Sequence, residues 1–252
     1  MLAEAAAAAV LAAAGGGELL PDLVTRPPAN VHVRVTKKGR RLLRFANEVV
    51  NAQTGPLELH PRAGDCNGNG DRADDRFAYQ RIYRDASGDG VFTRSVDTAF
   101  RERPAGCVTY HREHAHWHFE AFAEYRLRAY ARDGSLGPVV VTSGKVSSCV
   151  IDTKRRLRLP GAPARAYYGP LGGTGCRRDS VGGISVGWGD RYGARVTGQH
   201  LELTGLPGGA YCLVLEADPE DRIVEANERN NVRRTYVVVR GDAVVRLGGR
   251  PC

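Results

Sequence analysis

An alternation of apolar and polar residues at positions 120–129, EAFAEYRLRA, constrains the fold of this chain more than any other feature. The apolar set is Ala121, Ala123, Tyr125, Leu127 and Ala129, and the intervening set is Glu120, Phe122, Glu124, Arg126 and Arg128. Successive side chains of a strand point to opposite faces. This period of two therefore predicts a β-strand with one buried face.

Comparable strand patterns recur along the chain and are separated by turns that contain Gly or Pro. They lie at 31–35, at 39–59 as two strands around a polar turn, and at 138–143, 193–205, 210–218 and 233–240. Residues 61–97, in contrast, are rich in Asp, Asn and Gly, which favours a loop-rich insertion. No helical stripe of any length appears outside the N-terminal tail. We therefore expect an all-β fold, a β-sandwich with long loops.

The length of 252 residues suits one large all-β domain, which we expect at 18–252. Residues 1–17, MLAEAAAAAVLAAAGGG, resemble a secretory signal, although they lack a basic start and contain Glu4. This run is too short to cross a membrane and no other segment is apolar enough, so we expect no membrane span. The net charge of +8 arises from interleaved charges, which favours a solvated surface and no nucleic-acid partner.

Cysteine usage indicates the compartment. The six cysteines are Cys66, Cys107, Cys149, Cys176, Cys212 and Cys252. They are widely spread, even in number and without CxxC spacing, which predicts three disulfides rather than a zinc–thiolate site. We therefore expect a secreted or extracellular protein.

Four of the seven histidines lie within residues 111–118, HREHAHWH, with His114, His116 and His118 at alternate positions. Residues two apart in a strand share a face and lie about 6.6 Å apart, so adjacent members can bracket one ion. His114 and His118 are ~13 Å apart in a straight strand, so the strand must bend or bulge for all three to bind. A helix would instead group His111, His114 and His118. Three imidazoles without a nearby thiolate suit copper or zinc.

Two acidic loops have the 1-3-5 oxygen spacing of calcium loops, with Gly at position 6. The first contains Asp65, Asn67, Asn69 and Asp71, and the second contains Asp85, Ser87 and Asp89. Position 12 of a calcium loop is normally a bidentate Glu, but Arg76 and Val96 stand there. Calcium would need a carboxylate from elsewhere in the chain, and the alternative is a loop of Asx turns.

Three segments resemble the catalytic domain of the lysyl oxidase family. YHREHAHWHFEAFAEYRL at 110–127 resembles its copper segment, SGKVSSCVIDT at 143–153 its lysine segment, and GISVGWGDRYG at 183–193 its tyrosine segment. The resemblance extends from about Asp22 to Arg240. Without it, Lys145 is interpreted as a turn lysine and Tyr192 as a loop tyrosine.

The resemblance implies a site and an activity. It implies copper bound by His114, His116 and His118, with His111 as a non-ligating neighbour. Lys145 and Tyr192 would form lysine tyrosylquinone, a cofactor made from the protein itself. The implied enzyme oxidises a primary amine, either a peptidyl lysine or a small amine, with dioxygen to an aldehyde, hydrogen peroxide and ammonia.

The general base is assigned on weaker grounds. Asp190, two residues before Tyr192, is our candidate, and the alternative is that it is a surface carboxylate. Glu124 stands where the family often has a histidine, and it either replaces that histidine or faces solvent.

The resemblance also implies disulfide and calcium sites. It implies a Cys149–Cys176 disulfide, which leaves Cys66–Cys107 and Cys212–Cys252 as the remaining pairs. Glu113 and Trp188 stand where the family has cysteines, so some family disulfides are absent. The implied calcium ligands are Asp22, the Leu23 carbonyl, Glu225, Asn227, Asn230 and Asn231. Asn227 replaces a family aspartate, which removes a charge.

The alternative function is a non-catalytic secreted module of the cell envelope that binds copper or zinc. Residues 205–231 favour this reading, because similar sequences occur in immunoglobulin-like extracellular modules. Such a module has no need of Lys145 and Tyr192, and their presence favours the oxidase. The chain has no HExxH pattern, which argues against a hydrolytic zinc enzyme.

Overall fold

The computed structural model describes residues 17–169 and 176–252. The signal-like segment therefore lies, except for Gly17, outside the described residues. Every element in the described ranges is a strand, in agreement with the all-β prediction. The strands are β1 (Glu18–Leu19), β2 (Leu23–Thr25), β3 (Ala29–Val35), β4 (Arg41–Asn51), β5 (Leu57–Ala63), β6 (Asp75–Arg84), β7 (Phe100–His111), β8 (His116–Tyr130), β9 (Leu136–Ser148), β10 (Lys154–Arg155), β11 (Gly182–Ile184), β12 (Trp188–Tyr192), β13 (His200–Glu202), β14 (Gly209–Ala217), β15 (Val232–Arg240) and β16 (Ala243–Leu247).

The strands form two antiparallel sheets. The larger has ten strands in the order β11-β5-β6-β7-β8-β14-β15-β16, with β1 on β6 and β9 on β8. The smaller has six, in the order β10-β12-β4-β13, with β2 and β3 also paired to β4. Aromatic rings pack across the interior, since Phe45 of β4 meets Tyr125 of β8 edge to face at 5.0 Å between ring centroids. The arrangement is consistent with the predicted sandwich.

The alternation of apolar and polar residues at 120–129 is interrupted by a β-bulge in β8. Phe119 pairs with Ser148 and Ala123 pairs with Val146, so β8 advances four residues while β9 advances two. Ala121 takes a positive φ of 56° within this bulge.

The bulge changes which face of β8 is buried. Phe119 and, within the bulge, Phe122 belong to one hydrophobic core, and after the bulge Ala123, Tyr125 and Leu127 belong to a second core with β4, β13 and β14. Phe122, which the alternation placed on the polar face, is therefore buried.

Two strand assignments need correction. Residues 61–97 are not simply a loop-rich insertion, because β6 (Asp75–Arg84) runs through the middle of the large sheet, between β5 and β7. The Asp, Asn and Gly signals belong to the turns on either side of β6. Of residues 193–205, only β13 (His200–Glu202) is a strand.

Three disulfides staple the fold. Cys66 is joined to Cys107, Cys149 to Cys176 and Cys212 to Cys252. The second links β9 to the segment before β11, and it is the pair that the resemblance implies. Three disulfides fit a secreted protein. Within the described ranges, no helix is long and apolar enough to cross a membrane.

Candidate metal and tyrosine site

The histidine segment folds as the hairpin between β7 and β8 rather than as one continuous strand. His111 ends β7 and pairs with His116, the first residue of β8. His114 lies in the intervening turn, where Ala115 has a positive φ of 55°. The predicted bend is thus a hairpin turn, which brings His114 back toward His118 although only His116 and His118 lie in β8.

The imidazole nitrogens of this hairpin converge. His118 Nε2 lies 2.8 Å from His116 Nε2 and 3.3 Å from His114 Nδ1. Metal–nitrogen bonds of ~2.0 Å place two ligand nitrogens about 3 Å apart, so these separations suit a shared ion. His111, His114 and His118 also form a set whose nitrogens all lie within 4.8 Å of one another. The hairpin therefore gathers four imidazoles, one more than the family pattern needs.

Outer hydrogen bonds orient two of these rings. His116 Nδ1 donates to the His114 carbonyl at 2.7 Å, which leaves Nε2 as the free lone pair. His118 Nδ1 lies 3.0 Å from Ser147 Oγ, and its Nε2 faces the cluster. His111 Nδ1 and His114 Nε2 are buried without a hydrogen-bond partner. The donor set therefore has lone pairs available for a borderline cation such as copper or zinc.

Two of the imidazoles, His114 and His118, have a lowered pKa, which favours the neutral form that binds a metal. Burial lowers the pKa of His118 to about 3, and the neighbouring His116, His111 and His114 lower it further. Burial, together with His111 and His116, also lowers the pKa of His114. Closely packed rings cannot all be charged, so protonation competes weakly with metal binding.

Tyr192 is the last residue of β12, not a loop residue. Its backbone pairs with Asn47 of β4, which places it on the smaller sheet and the histidine hairpin on the larger. The Tyr192 hydroxyl donates to the Cys149 carbonyl at 3.0 Å and accepts from the Cys149 N–H. Burial raises the pKa of Tyr192 well above its ordinary value, and the nearby Asp190 raises it further.

Asp190 is buried, which corrects the expectation that it is a surface carboxylate. It is 2% exposed, and backbone hydrogen bonds from Ile151 and Arg191 offset only part of the cost of burying its charge. Burial raises the pKa of Asp190 well above its usual range, and Asp152 and Glu48 add to the effect. A carboxyl group with a raised pKa beside a cavity has the character of a general base or acid.

One cavity joins these groups. It has a volume of about 360 Å³. Its lining includes His114, His116, Asp190 and Tyr192. Arg191 and Arg195 also line it. A second cavity of about 370 Å³ lies on the other side of the cluster and is lined by His111, His118 and His200 among others. The site therefore lies between the two sheets.

Lys145 belongs to β9, so its interpretation as a turn lysine is wrong. Its backbone pairs with Glu124 of β8, and its side chain lies outside the described residues. Ser147 of the same strand contacts His118, and Cys149, the residue after the strand, contacts Tyr192. Glu124 lines neither cavity, because its carboxylate is bound by Arg126 and Thr142.

Sequence reasoning missed two residues of this site. Ser147, which orients His118, lies two positions after Lys145 in β9, and the period of two along that strand could have indicated it. His200 approaches the cluster because β13 pairs with β4, a contact without any local sequence signal.

A separate cluster links the start of the domain to its C-terminal part. Leu23 N–H donates to the Glu225 carboxylate, and Asn231 Nδ2 donates to Glu225 Oε1 at 2.6 Å. Asn230 Nδ2 donates to Asp22 Oδ2 at 3.1 Å. Oxygens of Asp22, Asn230 and Asn231 are buried without partners.

The surroundings of Glu225 in this cluster strongly change its pKa. Burial raises the pKa of Glu225 to about 9, and Glu228 and Asp218 contribute to the rise. Asn227, the remaining residue of the implied set, is exposed and accepts from the Arg229 N–H at 3.2 Å. Five of the six implied calcium ligands therefore lie together, although Leu23 meets Glu225 through its N–H rather than its carbonyl.

The second acidic loop is satisfied by its own backbone. Asp85 accepts from the N–H groups of Gly88 and Gly90, each at 2.7 Å, and from Ser87 Oγ at 3.1 Å. Asp89 accepts from Val91 N–H at 2.9 Å. These contacts correspond to the Asx-turn alternative for this loop. In the first loop, Asp65, Asn67, Asn69 and Asp71 also accept from backbone N–H groups, but the neighbouring Asp74 and Asp75 each have a buried oxygen without a partner.

The fold and site define an all-β protein with three disulfides and an imidazole cluster beside a partly buried tyrosine. A family model described as lysyl oxidase matches residues 93–247, more than half of the chain. The chain belongs to the lysyl oxidase family. A comparison with curated proteins finds no match.

Proposed function

We propose that this protein is a copper-dependent amine oxidase that uses a quinone made from Lys145 and Tyr192. The substrate is a primary amine, either a peptidyl lysine or a small amine. The reaction consumes the amine, dioxygen and water, and it releases an aldehyde, ammonia and hydrogen peroxide. Membership of the lysyl oxidase family supports an oxidoreductase of this type.

The observation that carries the proposal is the shared cavity. Two imidazoles of the histidine hairpin, the buried Asp190 and the ring of Tyr192 line one space of about 360 Å³. A module that only bound a metal would gain nothing from a buried carboxyl group with a strongly raised pKa and a tyrosine at the same place. Burying a carboxyl group is costly, and groups with perturbed pKa values cluster at functional sites.

His114, His116 and His118 would hold the copper. The fit rests on the converging nitrogens, on the lowered pKa of His114 and His118, and on the outer hydrogen bonds of His116 and His118. When bound, copper with dioxygen supplies the oxidation of Tyr192, and the quinone supplies the electron sink that ordinary side chains lack. The amine of Lys145 supplies the nitrogen that joins the tyrosine ring.

Asp190 would act as the base that takes the α-proton of the substrate. Burial raises the pKa of Asp190 well above its usual range, which makes its carboxylate a stronger base than an ordinary one. The Cys149 backbone groups hold the Tyr192 hydroxyl, which restricts the ring before it is oxidised.

Calcium would bind at the cluster of Asp22, Glu225, Asn230 and Asn231 and support the fold. Three buried oxygens there have no partner, and Glu225 would otherwise be buried without a counter-charge. Oxygen-only donors of this kind suit calcium. The replacement of a family aspartate by the exposed Asn227 is expected to weaken the site.

Peptide mass spectrometry tests the proposed cofactor. The purified chain is loaded with copper in air, and the peptides that carry Lys145 and Tyr192 are examined. We expect one cross-linked species with a mass that corresponds to the oxidised tyrosine joined to the lysine. The same protein should then produce peroxide when a primary amine is added.

Tyr192→Phe is the matched control, because it removes only the hydroxyl. It should give no cross-link and reduce amine-dependent peroxide to background. The loss of about two hydrogen bonds would cost it only ~1–3 kcal/mol of stability. Two unmodified peptides from folded, copper-replete protein would contradict the oxidase and favour the metal-binding module.

A further inference from the structure

The first acidic loop, which we call the Asp65 loop (residues 65–75), surrounds carboxylates that its own backbone does not fully satisfy. Asp65 accepts from Asn69 N–H at 3.1 Å and from Gly70 N–H at 2.9 Å. Asn69 Nδ2 donates to Asp74 Oδ2 at 3.1 Å. These bonds tie the side chains of the loop to its backbone and to one another, and such bonds within a loop do not by themselves point to a ligand.

Asp75 provides the independent observation. It is 0% exposed, and its Oδ2 accepts from Asn67 N–H at 2.9 Å, so the carboxylate lies against the loop. Its Oδ1 is buried and has no hydrogen-bond partner, and the same is true of Asp74 Oδ1. Leaving a buried carboxylate oxygen unpaired is costly.

No cationic side chain compensates for this charge. Among the described residues, Asp65, Asp71, Asp74 and Asp75 form no ion pair. The adjacent Arg76 is directed elsewhere: its guanidinium donates to the carbonyls of Arg72 and Asp75 and reaches Asp179 at 3.3 Å. Four carboxylates within eleven residues therefore lack a positive partner.

The second acidic loop is a useful contrast because its motif is similar. Its buried carboxylate is Asp97, which is also 0% exposed. Both Asp97 oxygens are satisfied, by Ala86 N–H at 2.8 Å and by Thr93 N–H at 2.6 Å. The unpaired oxygens are thus a particular property of the Asp65 loop.

We propose that the Asp65 loop binds a calcium ion through Asp65, Asn67, Asn69 and Asp75, with Asp75 supplying the carboxylate that position 12 lacks. The donors are all oxygen, and calcium takes six to eight oxygens in flexible geometry. Magnesium requires a near-ideal octahedron, which a loop with several carboxylates and amides rarely provides.

The position of the loop gives this ion a structural consequence. The Asp74 carbonyl accepts from Tyr110 N–H at 2.8 Å, and Asp75 pairs with Thr109 of β7. Thr109 in turn pairs with His118 of β8. The Cys66–Cys107 disulfide fixes the other side of the loop to β7. Bound calcium would therefore stabilise the position of the strands that carry the histidine hairpin.

Calorimetric titration with calcium chloride tests the proposal on the full chain in chelator-treated buffer. The titration uses the Glu225→Gln background, so that the separate calcium site proposed above does not contribute. We expect one bound calcium per chain. Asp65→Asn, Asn69→Ala and Asp75→Asn should each weaken binding at least tenfold, and Asn69 is exposed, so its replacement should not disturb folding.

Asp85→Asn is the matched control, because it changes the same motif position in the second loop. It should leave calcium affinity and stoichiometry unchanged. Absence of calcium binding in the Glu225→Gln background would overturn the proposal. So would equal affinity in Asn69→Ala and the parent, or an equal loss in Asp85→Asn.

Discussion

Asp190 and Tyr192 show how one buried residue sets the properties of its neighbour. The two lie two positions apart on β12 and line the same cavity. The negative charge of Asp190 raises the pKa of Tyr192 beyond the effect of burial. A protonated Asp190 would remove that effect, so the protonation states of the two groups are linked.

Asp190→Asn should separate catalysis from stability. We expect amine-dependent peroxide production to fall by roughly 10²–10⁴-fold, the usual contribution of a general base. Burial raises the pKa of Asp190 in the folded state, so its contribution to stability is present at low pH and is lost as pH rises through the folded pKa. Asparagine does not titrate, so the variant should melt at a higher temperature than the parent at pH 8.

Thermal melts at pH 4 and pH 8, together with peroxide assays, check this prediction. The difference in melting temperature between Asp190→Asn and the parent should become smaller toward pH 4, where Asp190 of the folded parent is protonated. Retention of parental turnover in Asp190→Asn would remove this residue from the proposed mechanism.

At the scale of elements, the β7–β8 hairpin and the bulge in β8 together position the site. The hairpin turn folds His114 against His118, and the bulge at Ala121 changes the buried face of β8 immediately afterwards. The same strand can therefore present His118 to the site and Tyr125 to the core. A straight strand could not do both, because its side chains keep a strict period of two.

The hairpin offers two overlapping ligand sets, which metal analysis can distinguish. The family pattern uses His116, whereas the purely geometric set uses His111 with His114 and His118. We expect His116→Ala to lose copper and peroxide production, because His116 Nε2 lies 2.8 Å from His118 Nε2. His111→Ala should retain close to one copper per chain. Elemental analysis of copper in the two dialysed variants distinguishes the two ligand sets. Copper loss in His111→Ala but not in His116→Ala would show that His111, rather than His116, is the ligand.

At the scale of the whole molecule, the two ends of the domain are joined at Glu225. Leu23 and Glu225 are 202 positions apart in sequence, yet the Leu23 N–H donates to that carboxylate. Contacts of this separation close long loops, so anything that stabilises them constrains the unfolded chain strongly. The three disulfides also constrain the unfolded chain, because they close shorter loops.

The stability of the calcium-free protein should fall as pH rises. Burial raises the pKa of Glu225 from 4.5 to about 9, so its stabilising effect is complete below pH 4.5 and is lost by pH 9. Between these two pH values, the free energy of unfolding should fall by at most about 1.4 kcal/mol for each pH unit. Calcium should oppose it, because a cation stabilises the ionised carboxylate.

Melting curves between pH 5 and 9, with and without chelator, check this effect. In chelator, Glu225→Gln should show a flatter dependence on pH than the parent. A parent melting temperature that is indifferent to chelator at pH 8 would argue against the calcium sites.

The sequence predicted the class of the fold because the alternation of β strands is local. The strands β3, β4, β5, β9, β14 and β15 all correspond to predicted runs. It did not predict β6, because the Asp- and Gly-rich turns around Asp75–Arg84 obscured a strand that becomes central only through its pairing with β5 and β7. Pairing partners depend on distant segments, which local patterns do not record.

For the site, the sequence by itself determined the kinds of donor and their order along the chain: alternate histidines, Lys145 before Tyr192, and six cysteines. Only the tertiary structure decided that His114 lies in a turn, that Asp190 is buried, and that Tyr192 shares a cavity with the histidines. The physical reason is that donor chemistry belongs to a single residue. Burial, pKa and proximity, in contrast, depend on what two separate sheets bring together when they pack.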